Sequence, residues 1–422
     1  MRTPSLRGKV CGVKPYILFA PPQARRRFLK NGLAGLAAIM AKPALVACSS
    51  EDSEKAPPKT PAPPKLVSNL SAVGPLQTAD ADGVRVPEGF SVRKLATSGE
   101  KPLADKEYLW HQFPDGGATY ATQDGGWIYV SNSEFPFTGG VGALRFDKDA
   151  TLIDAYPILQ NTQVNCAGGK TPWGTWLSCE EVGLGKVYEC DPTGKNEAKE
   201  YLALGVFKHE AVAVDPATNV LYLTEDESDG RLYRFTPKSP NVGGRADLSA
   251  GVLEVLEQKP DGSVIWHPLP EPQYTGKLPT REQVAESTAF DGGEGLFYFD
   301  GVVYFSTKGD NRVWALHLAS QTLDVLYDAA TSADPILTGV DNLTGTCCGD
   351  ILVAEDGGDM QIVAIMTDGS LKPLVQLEGQ NKSEITGPAF DPSGTRLYFS
   401  SQRGKSNAGF TYELTGPFHL PA

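Results

Sequence analysis

Short apolar runs alternate with polar turns along most of this chain, at a spacing of roughly 45 residues, the period of four-stranded propeller blades. Each module opens on a polar residue. An apolar strand then ends near Asp or Gly, a turn follows, and a second apolar strand closes on polar residues. His209-Glu210 leads through Asp215-Pro216 into Val220-Leu221-Tyr222-Leu223-Thr224-Glu225-Asp226. Thr386-Gly387 leads in the same way through Asp391-Pro392 into Arg396-Leu397-Tyr398-Phe399-Ser400-Ser401. Four further copies start near Gly116-Gly117, Asn165-Cys166, Gly293-Glu294 and Asp341-Asn342. The pattern predicts an all-β, six-bladed β-propeller over residues 67–422. The interval between Glu210 and Glu294 is nearly double the others. A seventh, degenerate blade or a long insertion accounts for it, and prolines at 237, 240, 260, 268, 270, 272 and 279 favour an insertion around 238–288.

The N-terminal residues follow a different rule. Residues 1–47 hold nine Lys/Arg and no Asp or Glu, and Arg25-Arg26-Arg27 precede a small-apolar run from Leu33 to Ala41. That run is too short for a permanent membrane span, and the arrangement predicts a twin-arginine export signal over 1–47. Leu45-Val46-Ala47-Cys48 reads as a lipobox, making Cys48 the lipidation site. Residues 48–66, with five prolines, predict an extended tether between that anchor and the propeller. The expected place is the cell envelope, periplasm-facing or surface-exposed, with the membrane touched only through the lipid. The export machinery is the expected partner on the way there.

Without the nine leader cations, 29 Lys/Arg face 51 Asp/Glu, a net charge of −22. That acidity argues against nucleic acid as a partner. Propeller symmetry brings equivalent positions together around one channel. Two rings follow: Cys166, Glu210, Glu294 and Asn342 at the module starts, and Asn132, Glu134, Cys179 to Glu181, Glu225, Asp226, Glu355, Asp356 and Arg403 at the ends of the second strands. So many converging carboxylates call for multivalent cations, either calcium or iron(III), and a thiolate among them favours a transition metal. The five histidines show no His-x-x-x-His spacing, and no Gly-x-Ser-x-Gly elbow occurs.

From Asn165-Cys166-Ala167-Gly168-Gly169 through Thr171-Pro172-Trp173-Gly174-Thr175-Trp176-Leu177-Ser178-Cys179-Glu180-Glu181 the chain resembles the PhoX-type alkaline phosphatase family, as a short member. Lys208-His209-Glu210-Ala211, Leu223-Thr224-Glu225-Asp226 and Glu294-Gly295 extend the resemblance, which covers most of residues 85–405. It implies a monomeric phosphomonoesterase acting on small phosphate esters, with an iron(III) pair and several calcium ions in the propeller channel. Glu210 and Glu294 are then metal ligands and catalytic residues, with Asn132 beside them. Either Cys166 or Cys179 binds iron. Glu181, Glu225 and Glu355 are further metal ligands, and Asn132, His209 and Arg403 contact substrate. The family's arginine two residues before the glutamate matched by Glu294 is here Gly292, and Lys308 or Arg403 is an alternative source of positive charge. The rival readings are a calcium-dependent propeller lactonase or esterase, and a non-catalytic binding propeller in which no metal is held.

Overall fold

The computed structural model describes residues 65–404 and 407–422; the segments expected to be an export signal and, up to residue 64, a tether lie outside the described residues, as does Cys48. Six antiparallel sheets stand around one axis, built in chain order from the inside outward except for the outermost strands of blades five and six. Blade one comprises Pro114–Ala121, Trp127–Ser133, Gly139–Phe146 and Leu152–Thr162. Blade two comprises Asn165–Lys170, Trp176–Glu180, Val187–Cys190 and the short Lys199–Glu200. Blade three begins with His209–Val214, Leu221–Glu225 and Leu232–Ser239, and blade four runs through Gly293–Phe299, Val302–Thr307, Arg312–His317 and Thr322–Asp328. Blade five has Val340–Gly345, Ile351–Glu355, Gln361–Ile365 and Leu371–Leu377; blade six has Ile385–Phe390, Arg396–Ser401 and Phe410–Thr415.

The long interval in the sequence is neither a seventh blade nor strand-free. Its residues supply the fourth and fifth strands of blade three, Asp247–Gln258 and Val264–Pro268. Prolines delimit those strands instead of preventing them: Pro240 lies before the first, Pro260 in the turn between the two, and Pro268 ends the second.

Ring closure is provided by the N-terminal part of the described chain. Ser91–Thr97 pairs with Phe410–Thr415 as the outermost strand of blade six, so one sheet is made from both ends of the chain. Val84–Arg85 adds a fifth strand to blade five, and Leu66–Ser68 pairs with His419–Pro421. These contacts cover sheet edges that would otherwise present unpaired backbone groups.

Six apolar clusters sit between the sheets, one at each blade interface. Leu177 and Val187 of blade two meet Val212, Leu221 and Tyr233 of blade three, for example, and Tyr129 and Phe146 of blade one meet Tyr398 of blade six. A blade is thus covered on both faces. For that reason second strands such as Ile351–Glu355 are buried along their whole length and read as continuous apolar runs, without polar alternation. Burying one such leucine or phenylalanine contributes roughly 1.5–3 kcal/mol, and no blade can obtain this alone. Asp-Pro turns recur because the Asp carboxylate folds the hairpin: Asp391 accepts from the backbone N–H of Thr395 and Arg396 at 2.9 and 2.8 Å, and Asp215 from that of Ala217 at 2.9 Å.

Candidate metal centre in the propeller channel

All six innermost strands carry a β-bulge, at the same phase in blades one to five and one residue later in blade six. The pairing register slips between Pro114 and Gly117, Asn165 and Gly168, His209 and Val212, Gly293 and Leu296, Val340 and Leu343, and Thr386 and Ala389. A bulge leaves two residues opposite one and re-aims a side chain. The first bulge residue in each strand is Asp115, Cys166, Glu210, Glu294, Asp341 or Gly387. Small residues follow several of them, because neighbouring inner strands approach closely there. A Cβ on Gly116 would lie 2.5 Å from the Cα of Ala167.

A second tier is formed by the residue just after each second strand: Glu134, Glu181, Asp226, Lys308, Asp356 and Gln402. The two tiers meet in four groups whose ligand atoms lie within 4.8 Å of one another: Cys166, Glu181 and Glu210; Glu210, Glu294 and Asp341; Asp115, Glu134 and Glu384; and Asp341, Asp356 and Glu384. Glu384, just before the inner strand of blade six, completes the set.

Nine carboxylates and one thiol therefore share this space with three cations. Lys208 reaches Glu181 at 2.9 Å and Asp226 at 2.7 Å, and Arg403 reaches Glu384 at 2.6 Å and Glu134 at 3.7 Å. Lys308 lies 2.7 Å from Glu294 and 3.3 Å from both Asp341 and Asp356. Burial first, and like-charged neighbours second, push Asp115, Glu210 and Glu384 well above the usual carboxylate range. Glu294 and Asp341 move the same way, chiefly through burial and against the opposing field of Lys308. Glu181 is pushed up to about 8 by burial and by Glu134, with Lys208 acting against the rise. Asp226 goes down despite its burial, because Lys208 and Glu181 hydrogen-bond to it. Burial, followed by the field of Asp115 and Glu210, raises the Cys166 thiol, whose Sγ is 3.2 Å from Glu210 Oε1.

Of the residues singled out in the sequence, the channel brings together Glu134, Cys166, Glu181, Glu210, Asp226, Glu294, Lys308, Asp356 and Arg403. Of the two candidate cysteines it takes Cys166. Cys179 lies inside the apolar cluster between blades two and three, because strand alternation turns it away from the axis. Glu225 and Glu355 are corrected in the same way. Each is the last residue of a second strand, and the channel receives its successor, Asp226 or Asp356. Glu225 accepts from Tyr233 Oη at 2.6 Å, and burial carries its pKa to about 7. Glu355 accepts the backbone N–H groups of Thr338 and Gln361, both at 2.9 Å. Asn342 gives way to Asp341 by one position, its side chain spanning Asp341 and the Gly387 N–H.

Asn132 is not open to substrate. Its Nδ2 donates to Cys166 O and Ala167 O at 2.9 and 2.7 Å, and its Oδ1 accepts from Trp176 Nε1 and Ser178 Oγ at 2.8 and 2.9 Å. It braces the bulge that presents Cys166. His209 points away from Glu210, its ring tilted against that of Phe207 with centroids 3.6 Å apart and Nε2 3.1 Å from Gly205 O; burial lowers it to about 3, so it is neutral. Gly292 has φ 69°, a backbone state that resists an arginine, and its carbonyl accepts the Lys308 N–H at 2.9 Å. Asp115, Glu384 and Lys208 were not singled out from the sequence; aligning the bulge positions would have found the first.

One oxygen of Glu210, Oε2, is buried without a hydrogen-bond partner, and Glu210 belongs to two of the four groups. An unpaired buried carboxylate oxygen is costly. The donor set, one thiol with hard carboxylates, fits a transition metal on the Cys166 side and hard cations elsewhere.

Fold and site together define a six-bladed propeller with an acidic, thiol-bearing channel suited to multivalent cations. The family model described as alkaline phosphatase PhoX matches residues 129–186 and 182–317, which include Cys166, Glu181, Glu210 and Glu294. Over those residues the chain is similar to the PhoX-type alkaline phosphatase family. Among solved structures it is similar to Pseudomonas fluorescens PhoX in complex with vanadate, a transition state analogue, at 16% identity and a TM-score of 0.65, covering 82% of this chain and 97% of that one. A gluconolactonase from Xanthomonas campestris is similar over 82% of this chain and 98% of its own, at 15% identity and a TM-score of 0.45. No curated protein sequence matches the chain.

Proposed function

We propose that this protein is a metal-dependent phosphomonoesterase of the cell envelope, exported by the twin-arginine route and anchored through Cys48, that releases phosphate from small organic esters as a monomer. The observation that carries the reading is Glu210, a wholly buried carboxylate with one unpartnered oxygen, shared between a thiol-containing group and an all-carboxylate group. Cys166, Glu181, Glu210 and Glu294 would hold an iron(III) pair, and Asp115, Glu134 and Glu384 would hold calcium. Metal bound there would supply Lewis acidity toward a phosphoryl oxygen and acidify a bound water, so no serine or histidine nucleophile is required.

The chain's own residues supply the rest. Lys208 and Arg403, each partly exposed beside the acidic groups, oppose the negative field that an incoming phosphate ester would meet. Asn132 fixes the backbone of Cys166 and so the direction of its thiol. Phe113, with Arg403 lying 5.4 Å from its ring centroid, limits how far that guanidinium can turn.

The test is metal analysis of the full chain purified without chelator, together with hydrolysis of a generic aryl phosphate with calcium present. Iron and calcium in the wild type, with phosphate release, and loss of both in Glu210→Gln is the expected result. Absence of iron and of turnover in the wild type would sink the phosphatase reading; calcium alone with ester or lactone hydrolysis would favour the lactonase alternative. Anchoring is tested separately: Cys48→Ala should abolish labelled-lipid incorporation and release the protein from the membrane fraction.

A further inference from the structure

The three channel cations are not equivalent. Lys208 and Arg403 each pair with two carboxylates, whereas Lys308 pairs with three, supplied by three separate positions: Glu294 at 2.7 Å, Asp341 at 3.3 Å and Asp356 at 3.3 Å. Glu294 and Asp341 are almost wholly buried. An ammonium has three N–H donors and no acceptor, so three carboxylates in ion-pair range, one of them hydrogen-bonded through Asp341 Oδ2 at 3.3 Å, surround it with opposite charge. These spacings suit N–H···O contacts and exceed the roughly 2.0–2.6 Å of oxygen–cation coordination. The side chain is also aimed by the backbone: the Lys308 N–H is bound to Gly292 O at 2.9 Å, the Gly309 N–H to Asp291 O at 2.9 Å, and Thr307 just before it anchors Trp314 Nε1 at 3.0 Å.

We infer that Lys308 is a tethered cation that permanently fills the Glu294–Asp341–Asp356 corner of the channel, so that this corner binds no metal ion. The inference rests on the metal-holding reading above and states how it is distributed: metal ions are confined to the Cys166 side and the Asp115 side. A covalently held ammonium places one positive charge in the corner at any calcium concentration, since its effective concentration there is fixed by the chain. Glu294 takes part in both halves, because a carboxylate offers two oxygens. The channel therefore works with fewer ions than its count of carboxylates suggests.

The experiment is a calcium titration of the chelator-treated full chain by calorimetry, with the number of ions per chain as the readout, independent of turnover. Lys308→Met, which keeps the stem and removes the charge, should bind one more calcium than the wild type, and Lys308→Arg the same number as the wild type. An unchanged number in a folded Lys308→Met protein would overturn the inference. Should that variant not fold, Asp356→Asn in the otherwise native chain decides: an unchanged number is expected, and loss of one ion would show that metal, not Lys308, fills the corner. A wild type that binds no calcium or iron at all would overturn the metal reading itself, and this inference with it.

Discussion

Glu181 allows the electrostatics of the channel to be tested quantitatively in the metal-free protein. Its side chain is held among Cys166, Glu210, Glu134 and Asp226, and burial followed by the field of Glu134 takes its pKa from 4.5 to about 8. A carboxyl group with a raised folded-state pKa stays protonated in the native chain while the unfolded chain has already ionised. Between pH 4.5 and about 8 the native state therefore binds more protons than the unfolded state, and stability falls as pH rises. Below that window the effect is absent, and above it the loss is complete. The gap corresponds to about 5 kcal/mol, a large share of the 5–15 kcal/mol by which domains are usually stable. Glu181→Gln removes the titration and retains the shape. Chemical denaturation with chelator present, at pH 4.5, 6 and 9, should find the two proteins within about 1 kcal/mol at the lowest pH and the variant ahead by several kcal/mol at the highest. Adding iron and calcium at pH 8 should reverse the order, because the ionised carboxylate is then a ligand. Parallel pH profiles for the two metal-free proteins would refute the assignment of Glu181 to a desolvated, like-charged group.

Other substitutions separate the residues of the channel from their neighbours. Cys166→Ala should lower iron content and turnover, whereas Cys179→Ala should leave metal content unchanged and cost about 1 kcal/mol of stability through the blade interface, as metal analysis and thermal melts will show. Gly116→Ala would place a methyl 2.5 Å from the Cα of Ala167. It should destabilise the protein by about 1–3 kcal/mol and weaken metal binding, since it pushes apart the strands carrying Asp115 and Cys166. Deleting residues 65–99 removes the strand Ser91–Thr97 that closes blade six; the product should aggregate through the exposed edge of Phe410–Thr415, which soluble yield and size-exclusion profiles will report.

Much of this protein was determined locally in its sequence. The blade period, the covered second strands and the Asp-Pro turns each reflect interactions within one or two strands, so the repeat of apolar runs was enough to predict six blades. The resemblance around Asn165–Glu181 and the phase of Glu210 and Glu294 likewise placed acidic and thiol residues at the channel. Tertiary structure decided which neighbour at each phase faces the axis. A strand turns successive side chains to opposite sides, and each inner strand contains a bulge that adds one residue to the count, so an error of one position exchanges a channel ligand for a structural carboxylate. Asp226 rather than Glu225, Asp356 rather than Glu355, and Asp341 rather than Asn342 all follow from that one-residue displacement. The choice of Cys166 over Cys179, the bracing role of Asn132 and the three-carboxylate grip on Lys308 depend on residues distant in the chain, brought together only when the ring is closed. No single module contains enough of the site to specify it.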